Sequence, residues 1–525
     1  MLFLLLAVDV VSGKRPNVVY VVTDDQDQML GSSFPTVFGG ETPMPKTKKV
    51  LVDEGLTFSN FFIHVPICNP SRSCTLTGKY FHNVKTTETA WSAMHVKDTV
   101  NNGSFAMNLQ AAGYTTGLFG KYLNAMPDYV PLGWDMWHAN DGGTYVSPTF
   151  HLLDGSLKTY EGGYTTSVVG NATVKWLKEQ RGPYFAYVAP KAAHEPFNPA
   201  PWYVDFWKDE WPATELRPEV WNCSTNISMD HGSNIPNMSM LTDSAANIIT
   251  GVFRNRWRTL MSVDDLIESI AETVDFEDTF MFFTSDHGFQ LGQFNILMDK
   301  RHVYDWDTRI HLVVRGPGVK KGSERRLASN VDLAPTFFGL ASISKDPSHD
   351  GRDLSPLLFP APEKEEDSEE EKKWPDVVFM EYYYVDDNVK CVADCQEPDD
   401  AYPRSDANCI DLGVSPNENC WSSGLGAACK NDCYPTENLH NNFIALRILN
   451  DTANLLYVKY QYGNQTKADV NFADPDFIEL FDVATDPWMA KNLYSPGGSS
   501  LSFDKKLMEF YNCQGDACRQ LSSSV

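Results

Sequence analysis

A chain of 525 residues has room for one large domain with a well-buried core and a second, smaller one, because single cores rarely grow past roughly 250 to 300 residues. Its hydrophobic content of 42%, with 13 Trp, 22 Tyr and 30 Phe, excludes a largely disordered chain. The formal net charge of −26 excludes a general nucleic-acid binder, whose phosphate contacts need clustered Lys and Arg, and restricts any polyanionic substrate to a local basic pocket.

The chain opens on an apolar run from Met1 to Val8 that ends near Ser12-Gly13. It is too short to span a bilayer and sits where the core of a signal peptide belongs, so residues 1–13 are expected to be one. No other stretch approaches about 18 consecutive apolar residues, and no membrane span is expected. Val18 to Thr23 is a continuous β-branched and aromatic run, the pattern of a strand buried on both faces of a parallel sheet, and it ends in Asp24-Asp25.

Cys68 follows Phe61 to Pro66 and precedes a Pro70-Ser71-Arg72 turn into a helical segment that ends at Thr77-Gly78-Lys79. That places it near a helix N-terminus, where free N–H groups and the macrodipole favour an anion. Residue types alone leave three readings open: a half-cystine, a nucleophilic thiol, or a chemically altered side chain. Further along, Gly120-Lys121 closes a predicted strand, and the strand Tyr184 to Ala189 leads to Lys191-Ala-Ala-His194. A helical pattern runs from Arg256 to Thr273, and the strand Thr279 to Thr284 ends in Ser285-Asp286-His287-Gly288. Strands alternating with helices, each delivering polar residues past its C-terminal end, describe an α/β fold with a large, mostly parallel mixed sheet sandwiched by helices and a site at the strand ends.

Asp24, Asp25 and Asp286, brought to one sheet edge, would repel one another without a cation, and a bound divalent metal resolves that. Asp at a strand end is also a common cap or turn residue, so the pairs alone leave both readings open. Asp27 and Asp278 read as surface residues.

Glu363 to Lys373 cannot bury apolar area and repels itself, so 363–373 is expected to be an acidic loop or linker between an N-terminal catalytic domain (14–362) and a smaller C-terminal α+β domain (374–525). In the latter, Val377 to Tyr384, Asn442 to Leu449 and Asn454 to Tyr462 read as strands and Phe503 to Tyr511 as a helix. Eight of the 11 cysteines fall between Cys391 and Cys518, which reads as a disulfide framework with a cysteine-rich insertion at 391–433; a zinc site is the rival reading. Seven Asn-x-Ser/Thr sequons, at Asn102, Asn171, Asn222, Asn226, Asn237, Asn450 and Asn464, agree with an oxidising secretory compartment.

Cys68-x-Pro70-Ser71-Arg72-x-x-x-Leu76-Thr77-Gly78 resembles the signature of the type I, formylglycine-dependent sulfatases. The similarity extends over nearly the whole chain, through Gly120 to Asn124, Phe253 to Asp265, Gly292 to Arg301, Val314 to Gly318 and Asn330 to Thr336. It is closest to the N-acetylglucosamine-6-sulfatase branch.

The resemblance implies an alkaline-phosphatase-like sulfatase fold and oxidation of Cys68 to formylglycine (3-oxoalanine) by the formylglycine-generating enzyme. It also implies one Ca2+ held by Asp24, Asp25, Asp286, His287 and the altered residue 68. By the same similarity Arg72 would fix the nucleophile and the ligating carboxylates, and Lys121, His194 and Lys300 would bind sulfate or handle protons. A hydrated aldehyde suits sulfate esters because one hydroxyl attacks sulfur and expels the alcohol, while the second collapses the adduct and releases sulfate by elimination.

The chain departs from the family pattern at Asn69, Cys74 and Phe81, at His287 where Asn is frequent, and in lacking a His after Gly120-Lys121. Cys74 reads as a buried small side chain rather than a second reactive thiol. The expected substrate is a sulfated glycan carrying the 6-O-sulfate of N-acetylglucosamine, in a lysosomal or extracellular setting. The alternatives are an arylsulfatase or a sulfatase of other polysaccharides, or an unmodified, glycan-binding homologue.

Overall fold

The computed structural model describes residues 15–30, 42–84, 100–124, 126–207, 217–360, 374–385, 389–391, 433–464, 469–496 and 501–521. The expected signal peptide, the acidic segment 363–373 and the interior of the cysteine-rich insertion lie outside the described residues.

The larger sheet is built from β1 (Asn17–Thr23), β2 (Leu56–Phe62), β3 (Thr115–Lys121), β4 (Met136–Asn140), β5 (Thr149–Leu152), β6 (Leu157–Thr159), β7 (Tyr184–Ala189), β8 (Thr279–Ser285), β9 (Arg309–Arg315), β10 (Gly322–Glu324) and β11 (Ala328–Ser329). The order is β10-β2-β9-β8-β1-β7-β3-β4-β5-β6, with β11 also on β2. Its centre is parallel: β1 pairs with β7 and β8, and β3 with β7 and β4. Antiparallel β9 separates β8 from β2, and β5 and β6 close the far edge with antiparallel pairings.

Helices α1 (Cys68–Thr77), α2 (Phe105–Ala111), α3 (Thr165–Glu179), α4 (Asp243–Ala271), α5 (Leu333–Leu340) and α6 (Leu501–Tyr511) supply the principal cover. The unbroken apolar character of β1 follows from having a core on each side. Val18, Tyr20 and Val22 pack with Leu76 of α1, Phe105 of α2 and Phe337 of α5, whereas Val19 and Val21 pack with Val169 of α3 and Leu260 and Ile267 of α4. Each such fully buried side chain contributes about 1.5 to 3 kcal/mol.

α4 begins well before the predicted Arg256. Thr242 caps it by accepting from Ala245 N at 3.2 Å, while Gly251 and the polar residues around it dilute the apolar period over its first turns.

A second sheet, antiparallel and ordered β12-β15-β16-β17, is formed by β12 (Val377–Tyr382), β15 (Phe443–Leu449), β16 (Asn454–Tyr460) and β17 (Phe477–Asp482). A two-stranded ladder, β13 (Val389–Cys391) with β14 (Cys433–Pro435), lies between β12 and β15 in sequence. β17 escapes a sequence reading because it is an edge strand whose outer positions remain half-exposed.

One apolar cluster joins the two sheets, with Phe62, Val65 and Tyr80 meeting Phe379, Phe443 and Phe510, and Glu381 N donates to His64 O at 3.0 Å. Cys513 and Cys518 form a disulfide, and Cys68, Cys74 and Cys223 are free and buried. Among the described residues no helix is long and apolar enough to cross a membrane.

Candidate active site

Because β1, β3, β7 and β8 run parallel and side by side, their C-terminal ends deliver polar residues to the same edge. β1 supplies Asp24 and Asp25, β3 supplies Lys121, the segment after β7 supplies Lys191 and His194, and the turn after β8 supplies Asp286 and His287. α1 brings Cys68, its first residue, to this edge.

Ile67 at the N-cap offers no side-chain acceptor, so the first-turn N–H groups of α1 are not consumed by a cap. Gly78 ends the helix with φ 65, a left-handed position where an added Cβ would press on His349 and Ala334. Asn330 clamps α1 from the side: its Nδ2 donates to Ser71 O and Thr75 Oγ1, both at 3.1 Å, and its Oδ1 accepts from His64 N at 2.9 Å.

Cys68 Sγ lies 3.5 Å from Asp24 Oδ1 and 3.2 Å from His287 Nε2. Arg72 donates from Nε to Asp286 Oδ2 at 2.9 Å and from Nη1 to Lys121 O at 3.2 Å, and its Nη2 makes ion-pair contacts with Asp286 Oδ2 at 2.9 Å and Asp24 Oδ2 at 3.7 Å. Lys121 Nζ pairs with Asp24, and Lys300 Nζ with Asp25 Oδ1 at 2.9 Å. His287 Nδ1 is 2.9 Å from Gly288 O and 3.5 Å from Asp25 Oδ1, and Asp286 Oδ1 accepts from Asp25 N at 3.2 Å. His194 stands at the rim, its side chain 22% exposed and Nε2 4.0 Å from Asp25 Oδ2.

This pocket concentrates three cations and three carboxylates, and the charges set one another. Burial pushes Asp24 up, but Lys121 foremost, with His194, Arg72 and Lys300, holds it well below the usual carboxylate range. Asp25 is likewise raised by burial and lowered on balance, chiefly by Lys300. Burial and Asp24 raise the Cys68 thiol, yet Lys121, Lys300 and His287 bring it down to about 6. Burial lowers His287, while Asp286, Cys68 and Asp25 lift it to about 10.

All the site residues expected from sequence, Asp24, Asp25, Cys68, Arg72, Lys121, His194, Asp286, His287 and Lys300, sit at this edge. Asp278 is exposed and Cys74 buried, as their surroundings in sequence imply. Asp27 is not a surface residue: it is fully buried, takes Arg256 Nη2 on Oδ1 at 2.8 Å, and the same Nη2 donates to Asp25 O at 2.6 Å. Its counter-ion lies 229 positions away, beyond the reach of local pattern.

Three further groups carry no signal strong enough to be singled out by sequence: Arg256 under Asp25, Asn330 beside α1, and Glu437. The last pairs with Arg301, next to Lys300.

The donor set fits a hard divalent cation. Ligand atoms of Asp24, Asp25, Cys68 and His287 all lie within 4.8 Å of one another, and among the described residues buried Asp25 Oδ1 accepts no hydrogen bond apart from its ion-pair contact with Lys300 at 2.9 Å. Two carboxylates suit Ca2+, and the His287 nitrogen is the softer member. Asp286 stands beside this group with Oδ2 taken by Arg72 and Oδ1 3.6 Å from His287 Nε2.

Comparison with known proteins agrees with this geometry. Residues 16–343 match the Sulfatase family model, and residues 292–396 match the model for the C-terminal part of N-sulphoglucosamine sulphohydrolase. The chain is 30% identical to an N-acetylglucosamine-6-sulfatase of Homo sapiens, over 96% of this chain and 86% of that one. It is 31% identical to an extracellular sulfatase SULF-1 homolog of Drosophila melanogaster, over 70% of this chain and 33% of that one. Among solved structures, a protein bound to its substrate D-glucosamine-2-N,6-O-disulfate superposes with a TM-score of 0.64 at 20% identity, covering 95% of this chain and 97% of that one. A family match over more than half the chain, on a fold that gathers Cys68 with its acids and cations at one sheet edge, places this protein in the sulfatase family, as a hydrolase of sulfate esters.

Proposed function

We propose that this sulfatase removes the 6-O-sulfate of N-acetylglucosamine units in glycosaminoglycans, with Cys68 oxidised to formylglycine by the formylglycine-generating enzyme. One Ca2+ would be held by Asp24, Asp25, His287, the altered residue 68 and neighbouring Asp286. The observation that carries the reading is the position of Cys68, between Asp24 and His287 and inside a ring formed by Lys121, Lys300 and Arg72. Substrate choice is supported by the N-acetylglucosamine-6-sulfatase relatives.

The metal, when bound, would polarise a sulfate oxygen and the hydroxyl made at position 68. The chain's own groups divide the other work. Lys121 and Lys300 flank Cys68 and hold sulfate oxygens by charge-assisted hydrogen bonds. Asp24, 3.5 Å from the position-68 side-chain atom, takes the nucleophile's proton. His194, at the rim, gives a proton to the departing sugar oxygen. Arg72 fixes Asp24 and Asp286 with its fork and touches the Lys121 carbonyl, so acid, base and clamp share one rigid support.

The proposal includes a secretory-pathway location, lysosomal or extracellular, which the seven sequons support and fractionation of producing cells checks. The functional test joins two measurements on secreted protein: mass spectrometry of the peptide carrying Cys68, and sulfate release from N-acetylglucosamine 6-sulfate. An alkylatable thiol throughout, with no sulfate released, refutes the formylglycine mechanism. Release from aryl sulfates alone replaces the substrate with an arylsulfatase one.

A further inference from the structure

We infer that Lys191 forms a second anion subsite beside the sulfate pocket, built to take another negatively charged group of the same glycan: an N-sulfate on the same sugar or a carboxylate on its neighbour. This rests on reading Lys121 as a sulfate-holding group.

Lys191 follows β7, and its Nζ donates to Gly143 O and lies 5.5 Å from the centroid of the Tyr145 ring. Among the described residues it makes no ion pair, whereas Lys121 and Lys300 each have a carboxylate. Lys121 is close enough that burial and its like charge push the Lys191 ammonium down to about 8, against Asp24, Glu195 and Asp141. A half-buried ammonium close to a second one, with only a carbonyl and an aromatic face as partners, is poised to take a counter-charge.

The turn between the two lysines carries no side chains at Gly142 and Gly143. Gly142 and Gly143 both adopt left-handed backbone, with φ 109 and φ 51, so neither position suits a side chain. A Cβ at Gly142 would already sit 3.5 Å from Lys121 Cδ and 4.0 Å from its Nζ. Tyr145 is fixed against the site by its OH donating to His194 O at 2.6 Å, and the ring beneath Lys191 is therefore rigid with respect to the rim. A sugar with a single sulfate satisfies Lys121 and leaves Lys191 without a counter-charge. One bearing a second anion satisfies both.

The test measures dissociation constants by calorimetry on the full-length Cys68→Ala chain, which does not consume the ligand, with and without Lys191→Met. Three probes separate the sources: N-acetylglucosamine 6-sulfate, glucosamine N,6-disulfate, and a uronate-containing disaccharide 6-sulfate. Lys191→Met should weaken at least one two-charge probe by about 10-fold or more, the size of a lost charge-assisted hydrogen bond. It should change the one-charge probe by less than about 3-fold, and Lys191→Arg should retain the preference. The probe that loses affinity identifies the second anion.

Equal losses for one-charge and two-charge probes, no loss for any, or no measurable binding of any probe overturns the inference. Sulfate release by the unaltered protein is read in parallel. Its absence alongside an intact Lys191 effect overturns the hydrolase reading and leaves the subsite standing.

Discussion

Substituting Glu437 with Gln tests whether the segment between β14 and β15 holds the active-site lysine in place. Arg301, the residue after Lys300, has φ 106, a conformation that costs a non-glycine residue about 1 to 3 kcal/mol unless its surroundings enforce it. The enforcing contacts come from the C-terminal part of the chain. Glu437 Oε1 pairs with Arg301 Nη1, Asn441 Nδ2 donates to Arg301 O at 3.1 Å, and His302 Nε2 lies 2.8 Å from Thr436 O. Glu437 is itself held by Tyr382 OH on Oε2 at 2.8 Å, and its side chain has no solvent exposure.

Glu437→Gln keeps the shape but removes the charge, a loss of about 1.5 to 3 kcal/mol for a hydrogen bond to an ion. That equals the strain it opposes. The Arg301 backbone is then free to relax and to carry Lys300 with it, and a displacement of about 1 Å at a positioning group costs on the order of 100-fold in rate. In steady-state sulfate release, kcat should fall about 10- to 100-fold while KM stays within about 3-fold, because the lost contact acts on the transition state more than on ground-state binding. Thermal unfolding of the same preparation supplies the control. A variant that remains folded with kcat within about 2-fold of the parent would refute the coupling.

Protonation at the contact between the sheets should give stability a neutral-side slope. Glu381 is buried, lies 2.8 Å from His64 Nε2, which also accepts from Phe81 N, and 2.9 Å from His82 Nδ1, and is held well below the carboxylate range by His82 foremost, and by His64, against burial. Burial lowers His82, but Glu381, the Cys513 carbonyl and Asp350 raise it on balance. The carboxylate therefore stabilises above its unfolded pKa of about 4.3, and the imidazolium stabilises below about 6.5 and ceases to as pH rises through its raised folded value. The unfolding midpoint should drop as pH climbs past neutrality, and His82→Gln should flatten that drop; an unchanged slope counts against it. Calcium should stabilise the fold by about 2.7 kcal/mol at 100 times Kd, so that the unfolding midpoint rises with its concentration, and Asp25→Asn should abolish the effect, as followed by calorimetry. Asn222 gives its side chain to Leu241, accepting from N at 2.6 Å and donating to O at 3.3 Å, whereas Asn102 and Asn171 are exposed. Glycopeptide mass spectrometry should find Asn102 and Asn171 occupied and Asn222 bare.

The parts of this molecule legible from sequence are those whose physics is local. β1 and β8 read as strands because both faces are covered and their buried positions are apolar or small, and the residues just past them fall at the site because parallel strands share one C-terminal edge. Cys68 and Arg72 are recoverable because one short motif turns into α1 and projects both from its first turn. β17 and the first turns of α4 are lost for the opposite reason, since an edge strand and a glycine-containing helix start carry little periodicity. Asp27 shows the limit most sharply. After a strand it looks like a turn residue, but Arg256 on α4 compensates its buried charge, while the same guanidinium holds the carbonyl of Asp25. Glu437 and Lys191 belong to the same class, the first given meaning by an arginine 136 positions away and the second by a glycine turn 48 positions away. The chemistry of the pocket is therefore written locally, in residues that touch the sulfur-bearing group. Its alignment and its choice of substrate are written in distant pairs, and those pairs are where substitution should alter rate or preference without erasing the signature around Cys68.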